Sequence, residues 1–289
     1  MRIGFISDLH IDFNRQFDFL EILSQVIADK ALDTVVFLGD TSTGAKDALR
    51  FYDALAVKTK AQVRIVPGNH DMYVENLRRK SKDRINRESS AFHDSILFHK
   101  EYSLMENPIV TKHWYITGIG GWFDYSFGKR KPGNPPGKAA NSIISRFFWP
   151  DQKVIHGGVI DYERDVRLVM KDIRMLQKSF EKEAAQGKKR CVVMHMLPIG
   201  ELIRAYPIPF YNKLINQLGS ERYRHFFEKN EVSLSISGHS HMPMKIQKNG
   251  IRYVNVSLGY TFQWTNPADA YGEISKILYI LEDCGLSGD

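Results

Sequence analysis

The chain contains 289 residues, of which 43% are hydrophobic and 25% are charged. This balance is typical of a globular protein and excludes a disordered, collagen-like or coiled-coil chain. The 40 Lys and Arg residues exceed the 33 Asp and Glu residues, and the formal net charge of +7 favours an anionic partner without identifying one. Two cysteines, Cys191 and Cys284, are too few for a disulfide scaffold, so we expect both to be reduced.

The sequence predicts no membrane partner. No apolar run approaches the ~18 residues that a membrane span requires. The apolar run at the N-terminus is interrupted by Asp8 and is too short for the core of a signal peptide. We therefore expect a cytoplasmic protein.

The first 70 residues predict a β-α-β unit followed by a further strand. Apolar runs indicate strands at 2–6, 34–38 and 62–66, and apolar residues at helical spacing indicate helices at 17–30 and 47–57. Each strand ends at a polar cluster. Because ligands of open α/β sheets bind beyond the carboxyl ends of the strands, we expect these clusters to converge.

The remaining elements follow the same α/β pattern. We predict helices at 75–90, 162–186 and 220–229, strands at 114–119, 190–194 and 233–236, and a Pro/Gly-rich basic loop at 129–140. Strands at 244–247, 251–256 and 276–281 are predicted to form a later, more antiparallel sheet. Residues 124–159 have little core of their own, so we interpret them as an insertion or lid within a single domain spanning 1–289.

Five polar clusters follow predicted strands and contain five of the ten histidines. They are Asp8-x-His10, Gly39-Asp40, Gly68-Asn69-His70-Asp71, the lone His195, and Gly238-His239-Ser240-His241. Each cluster alone is compatible with a turn, a helix cap or a half-buried histidine. Five strand ends that all carry oxygen or nitrogen donors are much harder to explain in this way.

The donor types predict a metal centre. Seven residues are candidate ligands, too many for one tetrahedral site and suited to two ions with a shared carboxylate: Asp8, His10, Asp40, Asn69, His195, His239 and His241. Asp40 follows the middle strand and is the natural bridge. Two ions ~3.5–4 Å apart can hold a bridging hydroxide that attacks phosphorus in line. His70 is left over, as an acid or as a stabiliser of the phosphoryl oxygens. Asp71 either orients His70 or caps the helix that follows.

This order of blocks resembles the calcineurin-like metallophosphoesterase superfamily, whose pattern is D-x-H, G-D, G-N-H-[DE], a lone His and G-H-x-H. The resemblance covers most of the chain, from Asp8 to His241. It implies the metallo-dependent phosphatase fold, an α/β protein built as a four-layer α/β/β/α sandwich of two mixed sheets. It also implies one ion on Asp8, His10, Asp40 and His241, a second on Asp40, Asn69, His195 and His239, and His70 as the catalytic histidine.

The resemblance implies a dinuclear-metal-dependent phosphodiesterase or phosphatase with Mn, Fe or Zn as cofactor. A small molecule or nucleotide is the expected phosphoester substrate, and the stretch around 121–126 resembles uncharacterised bacterial phosphoesterases. A metal-dependent nuclease is an alternative that the basic charge favours, but the basic residues are dispersed. A non-catalytic scaffold is a second alternative, although such proteins usually lose ligands. Protein Ser/Thr phosphatases carry extra arginines that these motifs lack.

Substrate contacts are predicted in the insertion and just before it. Trp122 and Tyr125 are candidates to stack on a ring, and Lys129 and Arg130 are candidates to meet phosphate. The alternative is that the aromatic residues anchor the loop on the core and the charges are solvated. Aromatic stretches at 206–211 and 260–264 are likewise compatible with lining the cleft or with packing in the core.

Overall fold

The computed structural model describes residues 1–73, 101–128, 151, 155, 161–183, 187–204 and 214–283. The predicted helix at 75–90, the loop at 129–140, most of the insertion and the stretch 206–211 lie outside these residues. Strands and helices are numbered below within the described part of the chain.

Most predicted elements are present with small shifts at their ends. The strands are β1 (Arg2–Ile6), β2 (Thr34–Phe37), β3 (Gln62–Ile65), β4 (Ile109–Val110), β5 (Trp114–Ile119), β6 (Lys189–Met194), β7 (Val232–Ser237), β8 (Met244–Lys248), β9 (Ile251–Asn255) and β10 (Tyr279–Glu282). The helices are α1 (Phe19–Asp29), α2 (Ala45–Lys58), α3 (Tyr162–Glu183), α4 (Glu221–Lys229) and α5 (Ala270–Ile277).

The strands form two mixed sheets. The first has the order β10-β1-β2-β3, and the second has the order β4-β5-β6-β7-β9-β8. Strands β1, β2 and β3 run parallel, as do β5, β6, β7 and β9, while β10, β4 and β8 pair antiparallel at the sheet edges. The parallel centres bring the carboxyl ends of successive strands to one edge of each sheet.

Alternating side chains build the layers, because successive residues of a strand point to opposite faces. In β2, Val36 contributes to the core between the sheets, whereas Val35 and Phe37 pack under α1, α2 and α5. In β6, Cys191 and Val193 belong to the same inter-sheet core, while Val192 and Met194 pack under α3 and α4. The predicted four-layer α/β/β/α arrangement is therefore confirmed.

The prediction for the C-terminal strand is wrong in two respects. Residues 276–277 end helix α5, so the strand begins only at Tyr279, and this strand joins the first sheet antiparallel to β1. The Asp269 side chain accepts a hydrogen bond from the Gly272 backbone N–H at 2.8 Å and starts the helix. The short edge strand β4 was also not predicted.

Candidate metal centre

The seven predicted ligands lie at the carboxyl ends of five strands. Asp8 and His10 follow β1, Asp40 follows β2, and Asn69 follows β3 in the first sheet. The remaining ligands follow two strands of the second sheet: His195 follows β6, and His239 and His241 follow β7. A hydrogen bond joins loops of the two sheets, from the His239 backbone N–H to Asp8 Oδ2 at 2.9 Å. The two sheets thus place their polar strand ends opposite each other.

Five of these seven residues have a left-handed backbone. The φ angles are 60° at Asp8, 44° at His10, 53° at Asp40, 70° at His239 and 53° at His241. Non-glycine residues seldom adopt this region, and its cost is tolerated where the surrounding structure holds it in place, often at functional sites. The backbone turns sharply after β1, β2 and β7 and directs these five side chains toward the donor groups.

The first group of donors surrounds His10. Its Nε2 lies 3.0 Å from His241 Nε2, 4.0 Å from Asp8 Oδ1 and 3.9 Å from Asp40 Oδ2. His241 Nε2 in turn lies 3.2 Å from Asp8 Oδ1. These are the four residues that the resemblance assigned to one ion.

The second group surrounds His195. Its Nε2 lies 2.8 Å from Asn69 Oδ1, 3.1 Å from His239 Nδ1 and 3.4 Å from Asp40 Oδ2. The same Asp40 oxygen therefore faces both His10 and His195. A carboxylate between two donor groups has the position required of a bridging ligand.

These donors fit divalent cations. Ligand atoms bound at ~2.0–2.1 Å from one ion lie roughly 3–4 Å from one another. The measured separations are 3.0–4.0 Å in the first group and 2.8–3.4 Å in the second. Two imidazole nitrogens only 3.0 Å apart, as in His10 and His241, repel each other through their lone pairs unless a proton or a cation lies between them. The mixed nitrogen and oxygen set suits Mn, Fe or Zn.

The electrostatics keep Asp8 charged and His239 neutral. Burial opposes the charge on Asp8, but the adjacent His241 and the nearby His195 outweigh it and hold the Asp8 pKa well below its usual range. Burial and the charge of His195 lower the pKa of His239 to about 3. The pKa of His195 rises to about 10 although burial opposes its charge, because Asp40 stabilises the protonated ring. A proton and a metal ion compete for this nitrogen.

Hydrogen bonds on the far side of two rings fix which nitrogen faces the donor group. His195 Nδ1 lies 2.7 Å from the Leu38 carbonyl oxygen, which can only accept, so this nitrogen is the donor. His241 Nδ1 donates to Gln263 Oε1 at 2.9 Å, because the same oxygen also accepts the Tyr260 N–H. Both bonds leave Nε2 free to bind a metal, as is common for histidine ligands.

One supporting residue was missed by the sequence reasoning. Asp151 is fully buried, and its Oδ1 accepts hydrogen bonds from Asn69 Nδ2 at 2.9 Å and from the Tyr73 hydroxyl at 2.5 Å. These bonds turn the Asn69 amide so that its oxygen faces His195. Because Asp151 lies in the predicted insertion and outside every recognised motif, no sequence signal indicated this role.

Asp71 joins the loops that follow β2 and β3 by hydrogen bonds, and it caps no described α-helix. Its Oδ2 accepts the backbone N–H groups of Asp40 at 3.0 Å and Gly68 at 2.7 Å. Burial, with the nearby charge of Asp40, raises the pKa of Asp71 to about 8. A Cβ on Gly68 would lie 2.1 Å from Asp40 Oδ1, so only glycine allows this close approach.

His70 lies beside the first donor group and is partly exposed. Its ring centroid is 4.8 Å from that of His10, and its ring stacks on Tyr73 at 4.4 Å. The His70 backbone N–H donates to Asp40 Oδ1 at 2.8 Å, so the residue is positioned by the predicted bridge. An exposed imidazole at this point can reach a group held by the metal donors.

Two of the four predicted substrate contacts are buried in the core. Trp122 and Tyr125 are 3% and 2% exposed, and both donate hydrogen bonds to the buried Asp165, Trp122 from Nε1 at 3.0 Å and Tyr125 from its hydroxyl at 2.7 Å. Their rings therefore pack in the core under α3, as the alternative interpretation stated. Lys129 and Arg130 lie outside the described residues.

Comparison with known proteins identifies the family. Residues 1–243 match the calcineurin-like phosphoesterase family, and this range contains all seven predicted ligands. The chain belongs to this family and is a metallophosphoesterase, a hydrolase that acts on phosphoester bonds. The family implies a dinuclear divalent metal centre. A search of curated proteins finds no significant match.

One solved structure shares the fold, and two others align with lower scores. The phosphopantetheinyl hydrolase of Mycobacterium tuberculosis aligns with a TM-score of 0.60 and 18% identity, covering 91% of this chain and 90% of its own. Protein TT1561 of Thermus thermophilus aligns with a TM-score of 0.47 and 12% identity, covering 90% and 89%. A dimetal phosphatase from Danio rerio aligns with a TM-score of 0.43 and 13% identity, covering 88% and 86%. Among the described residues, no helix is long and apolar enough to span a membrane.

Proposed function

We propose that the protein is a dinuclear-metal phosphoester hydrolase acting on a small-molecule or nucleotide phosphoester. The observation that carries this proposal is the position of Asp40 Oδ2, 3.9 Å from His10 Nε2 and 3.4 Å from His195 Nε2. One oxygen facing two complete donor groups supports two ions that share a carboxylate.

The two ions would be held by the two donor groups described above. One group comprises Asp8, His10, Asp40 and His241, and the other comprises Asp40, Asn69, His195 and His239. When bound, such a pair supplies a nucleophile at neutral pH and stabilises the charge on the phosphoryl oxygens. Asp8, His10, Asp40, Asn69 and His195 are buried, and the low polarity around them strengthens each electrostatic interaction at the site.

We assign the remaining chemical role to His70. Its ring contacts that of His10 without belonging to either assigned ligand set, and it is partly exposed. From this position it would donate a proton to the departing oxygen or a hydrogen bond to a phosphoryl oxygen. Stacking on Tyr73 and the backbone bond to Asp40 hold the ring in place.

The test is a hydrolysis screen on protein loaded separately with Mn, Fe or Zn. The panel contains aryl and alkyl phosphomonoesters and phosphodiesters, nucleotides, a phosphopantetheine ester and single-stranded DNA. The phosphopantetheine ester is included because the M. tuberculosis protein of similar fold is a phosphopantetheinyl hydrolase. Metal-dependent turnover of a small ester that is lost in H70A supports the proposal. Cleavage of DNA alone would favour the nuclease alternative, and no turnover with any metal would contradict the proposal.

A further inference from the structure

Exposed aromatic rings lie beside the metal donors. Among the described residues, Phe13 and Phe262 are 57% and 80% exposed, and they are two of five strongly exposed large hydrophobic side chains. Single exposed apolar residues are common on protein surfaces, whereas apolar residues grouped around a site indicate binding. These two rings are joined by a third, Tyr260. We call the three residues Phe13, Tyr260 and Phe262 the aromatic rim.

The rim is continuous with the donor groups. The Tyr260 ring stacks on the ring of His10, with centroids 4.5 Å apart, and the Phe262 ring stacks on Tyr260 at 5.4 Å. Phe13 meets Tyr260 edge to face at 5.3 Å and lies 6.1 Å from His10 and 6.4 Å from His70. A row of rings thus leads from a metal ligand and the proposed catalytic histidine out to solvent.

A buried asparagine joins the two loops that carry the rim. Asn14 is 1% exposed and donates from Nδ2 to the Leu9 carbonyl at 2.8 Å and to the Gly259 carbonyl at 3.1 Å. Its Oδ1 accepts the Thr261 N–H at 3.0 Å. The loop bearing Phe13 is therefore fixed to the loop bearing the other two rings, and the exposed rings are held in place before any ligand binds.

A second polar contact links the rim to the metal donors. Gln263 Oε1 accepts both the Tyr260 N–H at 2.8 Å and the ring N–H of His241 at 2.9 Å. The residue that orients a metal ligand therefore also positions the centre of the rim. Rigid apolar rings attached to a reactive site lower the entropy cost of binding a flat group next to it.

We propose that the aromatic rim binds a planar aromatic ring carried by the phosphoester substrate, with Phe13 as its main contact. This inference rests on the proposed function, because it places the phosphoryl group at the donors around Asp40. A ring attached near that phosphoryl group meets Phe13, which lies next to both His10 and His70. The ring can belong to a simple aryl or benzyl ester or to a nucleobase.

The test compares three esters that differ only in the group attached to oxygen: benzyl, cyclohexylmethyl and ethyl phosphate. The three esters differ in their own reactivity. This difference cancels because each variant is compared with the wild type on the same ester. F13A is expected to lower kcat/KM for the benzyl ester about fivefold to tenfold, and that for the ethyl ester less than about twofold. F13W should retain the preference for benzyl, and F262A should weaken it less than F13A does.

A matched control is V57A, which removes a side chain that is 90% exposed at the end of α2, outside the rim. V57A should leave kcat/KM unchanged for all three esters. Equal losses on all three esters in F13A, or no loss on either the benzyl ester or thymidine 5′-phosphate, would overturn the inference. A second pair, thymidine 5′-phosphate and deoxyribose 5-phosphate, separates the two sources of the ring. A loss in F13A confined to the nucleotide assigns the rim to a nucleobase, and a loss confined to the benzyl ester assigns it to a simple aryl group.

Binding measurements separate this inference from the proposed hydrolysis. Benzylphosphonate and ethylphosphonate are titrated by calorimetry into Mn-loaded wild type and F13A. Tighter binding of benzylphosphonate that is lost in F13A supports the rim even if the wild type hydrolyses no ester, in which case the proposed function alone fails. Equal affinity for both phosphonates, or binding of neither, overturns the rim, and ester hydrolysis by the same protein would leave the proposed function intact.

Discussion

Asp151 should control the affinity of the second donor group for its metal ion. The side chain accepts hydrogen bonds from Asn69 Nδ2 and from the Tyr73 hydroxyl, and it thereby directs the Asn69 oxygen toward His195. In D151A the amide keeps only a long hydrogen bond to the Tyr73 hydroxyl, at 3.4 Å, and can rotate to present its NH₂ group to the ion. Because Asn69 belongs to the second donor group alone, the effect should fall on one ion of the pair.

D151A should lower two separate quantities, the metal affinity of the second donor group and the folding stability of the protein. Loss of a residue that orients a metal ligand lowers affinity by about 10-fold to 100-fold, which corresponds to about 1.4–2.7 kcal/mol. Separately, removing the acceptor of a buried donor lowers the free energy of unfolding by ~1–3 kcal/mol. D151N keeps one carbonyl oxygen that can accept both bonds, so it should restore most of the affinity.

The assay titrates metal-free protein with Mn²⁺ and follows the free ion by electron paramagnetic resonance. D151A should show one site of wild-type affinity and one weakened site. D165A is the matched control. Asp165 is buried like Asp151 and also accepts two hydrogen bonds, but its donors are Trp122 and Tyr125, which are not candidate metal ligands. D165A should lower the melting temperature and leave both affinities unchanged. Unchanged metal affinities in D151A, or equally weakened metal binding in D151A and D165A, would show that Asp151 does not orient Asn69 toward the ion.

Three further substitutions test other parts of the site and fold. H70A should retain its metal content but lose about 10²-fold to 10⁴-fold in kcat, and a loss of metal would contradict the role assigned to His70. G68A should lose metal while remaining folded by circular dichroism, because its Cβ would lie 2.1 Å from Asp40 Oδ1; full occupancy would show that the loop can move aside. Burial raises the pKa of Asp165 from 3.8 to about 6, so the folded chain retains a proton that the unfolded chain has released between these values. The wild type should therefore lose up to about 3 kcal/mol of stability relative to D165N as pH rises from 4 to 7. Melting temperatures of both proteins across this range measure the difference, and a constant difference would contradict the shifted pKa.

The convergence of the candidate ligands could be predicted because it depends on topology. Parallel strands bring their carboxyl ends to one edge, so a polar residue directly after each apolar run is enough to predict it. Asp40 is the predicted bridge because its strand, β2, is expected between β1 and β3, and this strand order is confirmed. The left-handed backbone at the ligands carried no comparable signal, because residue type alone does not require it.

Contacts between distant segments could not be predicted. Asp151 meets Asn69 across 82 positions of sequence, and neither residue lies in a periodic pattern that would pair them. Trp122 and Tyr125 follow a strand in a glycine-rich stretch, which resembles an exposed loop. Their burial depends on Asp165, whose carboxylate on α3 accepts hydrogen bonds from both side chains. The contribution of Phe13 to the rim likewise depends on the loop around Tyr260.

The proposed function requires that two divalent ions share Asp40. The metal content of Mn-loaded protein tests this requirement, measured by inductively coupled plasma mass spectrometry for wild type, D40A and H70A, together with ester hydrolysis by the same samples. We expect two ions per chain in the wild type and H70A, and loss of both ions and of activity in D40A. A wild type that binds a single ion, or D40A protein that keeps two ions and full activity, would contradict it.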